Sequence, residues 1–148
     1  MRSFILLLLT AALAHAAVSP EKIENVRGLL RERKLDTAES AAKALVAANP
    51  AEPEVYALLG SVNVAKGDSN AAVTAGEKAV ELAPTSSEYQ LQLGDTYGFA
   101  AQKAGMLSKV GWAKKTRLAY EKSVELDPAN LTARQSLMSF YQMAPGMM

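Results

Sequence analysis

The sequence predicts an all-α solenoid built from helix-turn-helix repeats of about 34 residues. The pair Leu59-Gly60 recurs as Leu93-Gly94 after 34 residues, and the same interval separates Pro50 from Pro84. In the second repeat, the small residue of the pair leaves room for the following helix, which crosses it near Ala72, and a side chain there is expected to push the two helices apart. The Leu-Gly pair allows two helices to pack closely, and the proline ends a helix. Because both recur after the same interval, they indicate stacked copies of one helical hairpin.

The residues from Glu52 to Pro84 resemble the tetratricopeptide repeat (TPR), whose pattern runs aromatic, Leu-Gly, aromatic, Ala, Phe and Pro. The resemblance implies a TPR α-solenoid of about three repeats plus a C-terminal helix over residues 23–141, with first helices lining a shallow groove. It further implies a scaffold that holds a peptide or protein segment without catalysis. The residues that carry the pattern are Tyr56, Leu59, Gly60, Ala72, Ala79 and Pro84.

The repeat period and the composition of the termini divide the chain into six segments. The first repeat is degenerate because its first helix has no Leu-Gly pair, and the third repeat is lengthened. The predicted segments are a signal peptide (1–16), a leader (17–22), the first repeat (23–50), the second repeat (51–84), the third repeat (85–128), and an extra helix with a tail (129–148).

The first 16 residues have the features of a secretory signal peptide. Arg2 precedes an apolar run over residues 4–14, and Ala14-His15-Ala16 has the small residues that a signal peptidase accepts. We therefore expect cleavage between Ala16 and Ala17. A membrane anchor is the alternative, but the run is shorter than the roughly 20 residues that a span needs. An exported chain without Cys fits the bacterial periplasm.

Composition excludes most catalytic chemistry. The chain has no Cys, and its one His, His15, lies within the predicted signal peptide. Thiol nucleophiles, Ser-His triads and the usual zinc sites are therefore excluded from the mature chain. Cleavage after Ala16 removes Arg2 and leaves 15 basic and 15 acidic residues, so net charge favours no class of partner. The basic cluster Lys103, Lys109, Lys114, Lys115 and Arg117 allows a nucleic-acid patch as one interpretation, but an exported protein seldom meets nucleic acid, so we expect no nucleic-acid partner. We expect no enzyme activity, no cofactor, no metal and no transmembrane span after cleavage.

Start and stop signals predict where the helices begin and end. Ser19-Pro20 predicts an extended leader before a first helix over Ile23–Arg33, because proline disfavours helical geometry in the preceding residue. Asp36 or Thr37 is expected to cap the next helix. The other signals are a stop at Asn49-Pro50, a left-handed stop at Gly67, a start at Asp68-Ser69-Asn70, and a cap at Asn130 for a last helix from Leu131 to about Met143.

The third repeat exceeds the period, since Pro84 and Pro128 are 44 residues apart instead of 34. Both ends keep the register, which places the ten extra residues between about Phe99 and Lys115. Shared equally by two antiparallel helices, they predict about five more residues in each and a protruding hairpin. Thr116 and Ser123 stand where the repeat usually has Ala, which leaves the helix crossing in this repeat open.

The groove positions of the TPR family, carried over residue by residue, give a candidate partner-binding site. Chaperone-binding TPRs hold a terminal carboxylate with Lys and Asn at several of these positions, and this sequence does not have them there. A mildly acidic, partly apolar groove suits a neutral or basic amphipathic helix instead. The candidates are Glu54, Ala57, Ser61, Val64 and Ala65 in the second repeat, and Glu88, Leu91, Asp95, Gly98 and Phe99 in the third.

A second candidate site lies in the predicted hairpin, at Met106–Lys115. Trp112 is the only Trp, and Lys109, Lys114 and Lys115 flank it in a stretch without acidic residues. One interpretation is a contact site for an acidic protein or an anionic envelope surface. The other is that the two lengthened helices bury these apolar side chains against each other.

The predicted last helix suggests an alternative function. Leu137, Met138, Phe140 and Tyr141 have no predicted second helix to cover them, whereas repeat arrays normally end in a polar cap. The alternative to groove binding is therefore a structural or self-association module, in which this helix or the third-repeat hairpin mediates oligomerisation.

Overall fold

Stacked antiparallel helix pairs make up the fold. The computed structural model describes residues 18–143, and within that range it contains helices and no β-strand. The helices are α1 (Pro20–Arg31), α2 (Leu35–Ala48), α3 (Pro53–Lys66), α4 (Ser69–Leu82), α5 (Ser87–Lys103), α6 (Met106–Leu126) and α7 (Leu131–Met143). Consecutive helices pack together, and α1, α3, α5 and α7 also contact one another in order along one side. This is the arrangement that the period predicts.

Two left-handed residues end the first helices of successive pairs. Gly67 follows α3 with φ of 84°, and Arg33 follows α1 with φ of 59° at the position 34 residues earlier. The predicted stop at Gly67 is confirmed. The predicted start after it is also confirmed, because the Asp68 side chain accepts a hydrogen bond from the Ala71 N–H at 3.0 Å. Arg33 adopts the same conformation although its Cβ makes that conformation costly.

Two predicted helix starts are wrong. The first helix, α1, begins at Pro20 instead of Ile23, because proline fits the first helical position, where its missing N–H loses no bond. The second helix, α2, begins at Leu35, so Asp36 and Thr37 lie within its first turn and neither caps it. The turn closes at Lys34, whose N–H bonds to the Leu29 carbonyl at 2.9 Å and whose own carbonyl accepts the first bond of α2 from the Ala38 N–H at 2.9 Å, so Lys34 takes the cap position.

The third helix pair contains the extra length, and its two helices share that length unequally. The first helix of this pair, α5, has 17 residues and the second, α6, has 21, whereas α3 and α4 have 14 each. The extension therefore adds three residues to α5 and seven to α6 instead of about five to each. The longer share forms the N-terminal turns of α6.

Within residues 18–143, the core consists of three apolar clusters that follow one another along the array. The first joins α1, α2 and α3 and includes Val26 and Val55. The second joins α4, α5 and α6 and includes Tyr97, and the third joins α5, α6 and α7 around Tyr120 and Phe140. Each cluster includes residues of the following or preceding pair, so the helix pairs depend on their neighbours for burial.

The helix crossing differs between the second and third pairs. A methyl group on Gly60 would lie 3.6 Å from the Ala72 carbonyl oxygen, which is ordinary contact. The expectation that any side chain at Gly60 would push α3 and α4 apart is therefore wrong. In the third pair, Thr116 and Ser123 replace the usual alanines and are both buried, so this crossing accommodates small hydroxyl side chains.

Ser87, Ser123 and Asn130 form a hydrogen-bonded cluster, here called the serine joint, where α5, α6 and α7 meet. The Ser123 hydroxyl donates to the Ser87 carbonyl at 2.7 Å, and the Ser87 hydroxyl donates to the Ser123 carbonyl at 2.9 Å. The Asn130 amide donates to the Ser87 hydroxyl oxygen at 2.9 Å. Its own oxygen accepts from the Ala133 N–H at 3.0 Å, which confirms the predicted cap of α7.

Candidate functional site

A continuous groove runs between α3 and α5, on the side where the odd-numbered helices contact one another. Ala57 and Ser61 on α3 are small and leave the space open, while Tyr89 and Gln92 on α5 form the opposite wall. These four residues line two adjoining depressions, which therefore form one groove. The two parts have volumes of about 210 Å³ and about 440 Å³.

Most of the predicted groove residues lie where the sequence placed them. Phe99 lies outside the groove near the end of α5, with the Lys103 Nζ 5.6 Å from its ring centre. Ala65 is exposed beyond the groove, and Gly98 lines a separate depression between α5, α6 and α7 that begins at Asp95. The predicted residues that line the groove are Glu54, Ala57, Ser61, Val64, Glu88 and Asp95.

The placement of Leu91 in the groove is corrected. Its side chain is only 4% exposed and packs in the third apolar cluster with Tyr120, Ala133 and Phe140. Leu91 lies 34 residues after Ala57, at the equivalent position of the next pair. Helix α7 covers Leu91, whereas Ala57 remains open to the groove. A ligand in the groove therefore does not reach Leu91.

Gln92 and Tyr89 are groove residues that the family positions did not include. The Gln92 side chain donates to the Glu88 carboxylate at 3.0 Å. Helical periodicity contained a signal for it, since Gln92 lies four residues after Glu88 and three before Asp95, on one helix face. Tyr89 carried no comparable signal, because a Tyr at a repeat position more often fills the seam between helices.

The groove is acidic. Glu54 forms an ion pair with Arg27 at 3.3 Å, and Arg27 is the one cation among the described residues that line the groove. Glu88 and Asp95 have no cationic partner in the described part of the chain. Burial raises the pKa of the Tyr89 hydroxyl, and the nearby Glu54 adds to that rise by disfavouring a second negative charge.

Asp95 is held at the wall of the groove by Tyr120. The Tyr120 hydroxyl donates to the Asp95 carboxylate at 2.7 Å. Partial removal from water raises the pKa of the Asp95 carboxyl, the Tyr120 hydrogen bond opposes that rise, and the charge of Glu88 adds to it. An adjacent positive charge from a ligand would relieve this unfavourable environment of the ionised carboxyl.

Of the hairpin candidates, Trp112 and Lys115 contact other side chains, although Lys115 is itself exposed. Trp112 is half-buried, and its ring centre lies 5.8 Å from that of Tyr97. The Lys115 ammonium lies 4.8 Å from the centre of the Trp112 ring and 3.5 Å from the Glu77 carboxylate. Lys109 and Lys114 are exposed. The helices thus bury part of Trp112, as one of the two interpretations expected, but not the apolar residues that precede it.

Neither a metal cluster nor a spanning helix occurs within residues 18–143. No group of three or more acidic or His side chains there could hold a metal ion. No helix in the same range has the length and apolar character to cross a membrane. The predicted cleavage residues Ala16 and Ala17 lie outside the described residues.

Residues 53–86 match the family model of the tetratricopeptide repeat. This match covers the second helix pair and the first residues of the next repeat, which is the stretch that carries the TPR pattern. No curated protein sequence matches the chain at a significant level.

Solved TPR structures share the fold. A thermophilic TPR protein of Thermus thermophilus superimposes with a TM-score of 0.74 at 16% identity over 84% of this chain, which spans 65% of that protein. The Sgt2 TPR domain from Aspergillus fumigatus gives 0.71 at 17% identity, covering 87% of this chain and 82% of that domain. The second TPR domain of human RPAP3, in complex with the HSP70 peptide SGPTIEEVD, gives a TM-score of 0.65 at 18% identity, covering 80% of this chain and 91% of that domain. The fold is therefore an all-α TPR solenoid.

Proposed function

We propose that the array is a non-catalytic scaffold whose groove holds a neutral or basic segment of a partner protein. The observation that carries the proposal is the charge of the groove, where Glu88 and Asp95 have no cationic partner among the described residues and Arg27 is already paired with Glu54. The peptide bound to the RPAP3 domain ends in the acidic sequence EEVD. An acidic groove repels such an end, so this chain is expected to select the opposite charge.

The groove also has a place for one basic side chain of the ligand. Small residues on α3, among them Gly60 and Ser61, leave a pocket whose opposite wall carries Tyr89 and Asp95. A Lys or Arg side chain can lay its apolar stem against the Tyr89 ring and bring its charge to the Asp95 carboxylate. We propose that this pocket holds the anchoring residue of the bound segment.

Binding of a labelled peptide panel to the full-length protein tests the proposal. Amphipathic peptides with Lys at the anchor position should bind, and the same peptides with Glu there should bind at least tenfold more weakly. Glu88→Lys should weaken binding while changing the unfolding free energy by no more than about 0.5 kcal/mol, as exposed substitutions do. Asp95→Lys should also weaken binding, and it should lower the unfolding free energy by about 1–3 kcal/mol because the buried Tyr120 hydroxyl loses its acceptor. Glu81→Lys, on α4 outside the groove, is the control for a general effect of charge. Tighter binding of the acidic peptides would overturn the proposal.

We further propose that the protein works outside the cytoplasm, in a bacterial periplasm. The support is the sequence of residues 1–16, with an apolar run and the small residues Ala14 and Ala16 before Ala17. Mass spectrometry of protein recovered from its host should find a mature N-terminus at Ala17. A membrane-bound product that retains Arg2 would instead establish the anchor alternative.

Self-association is a second candidate function, and α7 provides the observation that favours it. Leu137, Met138 and Tyr141 line an open apolar cleft together with Val124 of α6, and Met138 is 57% exposed. A second copy could cover this face by stacking α7 on α7. Light scattering should then show a dimer that Met138→Glu dissociates, with Met143→Glu at the end of α7 as the control. A monomer at all concentrations would exclude this function.

A further inference from the structure

The N-terminal turns of α6 expose three apolar side chains that belong to none of the apolar clusters in the described part of the chain. Met106 is 89% exposed, Leu107 98% and Val110 66%. All three belong to the seven residues that lengthen α6, and no atom would contact a side chain added at the neighbouring Gly105 within 4 Å. Removing apolar surface from water lowers the free energy, and these side chains do not gain it within the described chain. A cluster of apolar side chains this exposed therefore indicates a surface that contacts another molecule.

Three lysines lie near this apolar tip. Lys109 and Lys114 are in the N-terminal half of α6, and Lys103 ends α5, with its ammonium 5.6 Å from the centre of the Phe99 ring. All three are exposed, and none forms an ion pair with a described residue. No acidic residue occurs from residue 100 to 118. Lys115, by contrast, is neutralised, because it pairs with Glu77 at 3.5 Å. The tip therefore combines exposed apolar side chains with unneutralised positive charge.

We propose that this basic tip, formed by Met106, Leu107, Val110, Lys103, Lys109 and Lys114, inserts into the surface of an anionic lipid bilayer. The apolar side chains would enter the boundary between head groups and acyl chains, where a depth of roughly 5–10 Å is typical for amphipathic helices. The lysines would remain at the level of the head groups and pair with anionic phosphates.

A bilayer fits the tip better than an acidic protein does. A protein partner binds most strongly where anchor side chains are rigid and fill a pocket, and the one rigid aromatic here, Trp112, packs on Tyr97 instead. Met and Leu side chains that stand out from the surface need only an apolar medium, which lipid supplies without a matched cavity.

The distribution of charge along α6 sets the orientation. Both acidic residues of this helix, Glu121 and Glu125, lie in its C-terminal half, where they pair with Arg117 and Lys122 and leave that half without a net charge to attract anionic lipid. Lys109 and Lys114 lie in the N-terminal half, beside the exposed apolar side chains. The helix would therefore meet the bilayer with its N-terminal tip and not lie flat upon it.

A dye at position 107 tests the proposal. The chain has no Cys, so Leu107→Cys allows an environment-sensitive dye to be attached at the tip of the full-length protein, and Ala47→Cys on the exposed side of α2 provides the matched control. The labelled proteins are mixed with vesicles of phosphatidylcholine alone or with phosphatidylglycerol added. The dye senses the polarity only at its own position. If the full-length protein instead bound the vesicle through its apolar residues 4–14, the dye at position 107 would therefore stay in water and its signal would not change.

The expected result is a blue-shifted, brighter signal at position 107 with phosphatidylglycerol, and no change with phosphatidylcholine alone or at position 47. Replacing Lys103, Lys109 and Lys114 together by Gln should reduce the response at least fivefold at low salt, since each basic residue near an anionic surface contributes about that factor. Circular dichroism would verify that the triple variant is folded.

Two outcomes would overturn the proposal. One is an unchanged signal at position 107 with phosphatidylglycerol vesicles at low salt. The other is a response to soluble polyglutamate but not to vesicles, which would assign the tip to an acidic protein partner.

Discussion

A methyl group on Gly94 would lie 2.5 Å from two ring carbons of Tyr120, which is closer than side-chain carbons approach in folded proteins. The ring is fixed on two sides, by its hydroxyl bond to Asp95 at 2.7 Å and by edge contact with Phe140 at 6.4 Å between ring centres. Gly94 is therefore the position where α5 and α6 cannot accept a larger residue.

Gly94→Ala is expected to lower the free energy of unfolding by about 1–3 kcal/mol, because Tyr120 or the helix backbone must shift. Gly60→Ala, at the equivalent position 34 residues earlier, has room for the methyl group and should be neutral or stabilising by up to about 1 kcal/mol through helix propensity. Urea denaturation of both variants gives the comparison. Equal losses at the two positions would contradict it.

Arg33→Gly should raise the free energy of unfolding by about 1 kcal/mol, because glycine adopts the left-handed conformation at this position without a Cβ clash. Gly67→Ala, at the same position of the second pair, should lower it by a similar amount. Thermal unfolding of the two variants measures both effects. A destabilised Arg33→Gly would mean that the arginine side chain stabilises the turn more than its backbone strain costs.

Binding of a Lys-containing peptide in the groove should weaken as the pH falls, beginning above the usual range of aspartic acid. Partial burial raises the pKa of Asp95, and a protonated Asp95 no longer attracts a cation. Tyr120→Phe removes a hydrogen bond that stabilises the ionised carboxyl, so it should raise the pKa of Asp95 further and move the loss of affinity to higher pH. Asp95→Asn should abolish this part of the pH dependence. Fluorescence anisotropy from about pH 4 to 8, the range above the usual aspartate pKa, would follow all three proteins.

Trp112→Ala should lower the free energy of unfolding by about 2 kcal/mol, less than the loss at fully buried aromatics, because Trp112 is only half-buried. Leu107→Ala, earlier on α6, should change it by no more than about 0.5 kcal/mol, since its side chain is 98% exposed. Urea denaturation with circular dichroism, which needs no Trp, gives both values. Partial quenching of Trp112 by acrylamide would agree with its half-buried position.

Local and periodic signals predicted the helix pairs because each depends on a few residues at a fixed interval. The stop at Gly67 and the caps at Asp68 and Asn130 are examples, since backbone freedom and a side-chain acceptor suffice for them. Arg33 shows the limit of that reasoning. The turn between α1 and α2 holds Arg33 in the left-handed conformation, although arginine does not favour it. No pattern in the neighbouring residues predicts this conformation.

Contacts between helix pairs were the part that the sequence did not predict. Family positions treat Ala57 and Leu91 as equivalent, but α7 covers Leu91 and nothing comparable in the described range covers Ala57. The unequal extension of α5 and α6 has a similar cause, because the period fixes the total of ten residues and not the point at which the chain turns. Gly60 and Gly94 look alike in the sequence, and only the position of the Tyr120 ring distinguishes them.

The serine joint limits how α7 can be aligned on the helices before it. Apolar packing is not directional, so it specifies the alignment of two helices less strictly than hydrogen bonds do. Hydrogen bonds are directional, and a slip of α7 by one residue would separate Asn130 from the Ser87 hydroxyl and expose buried polar groups without partners. The bond from Asn130 to Ser87 thus adds a directional constraint on how the end of the array docks, and Ser123, in place of the alanine of the second repeat, holds α6 to the same Ser87.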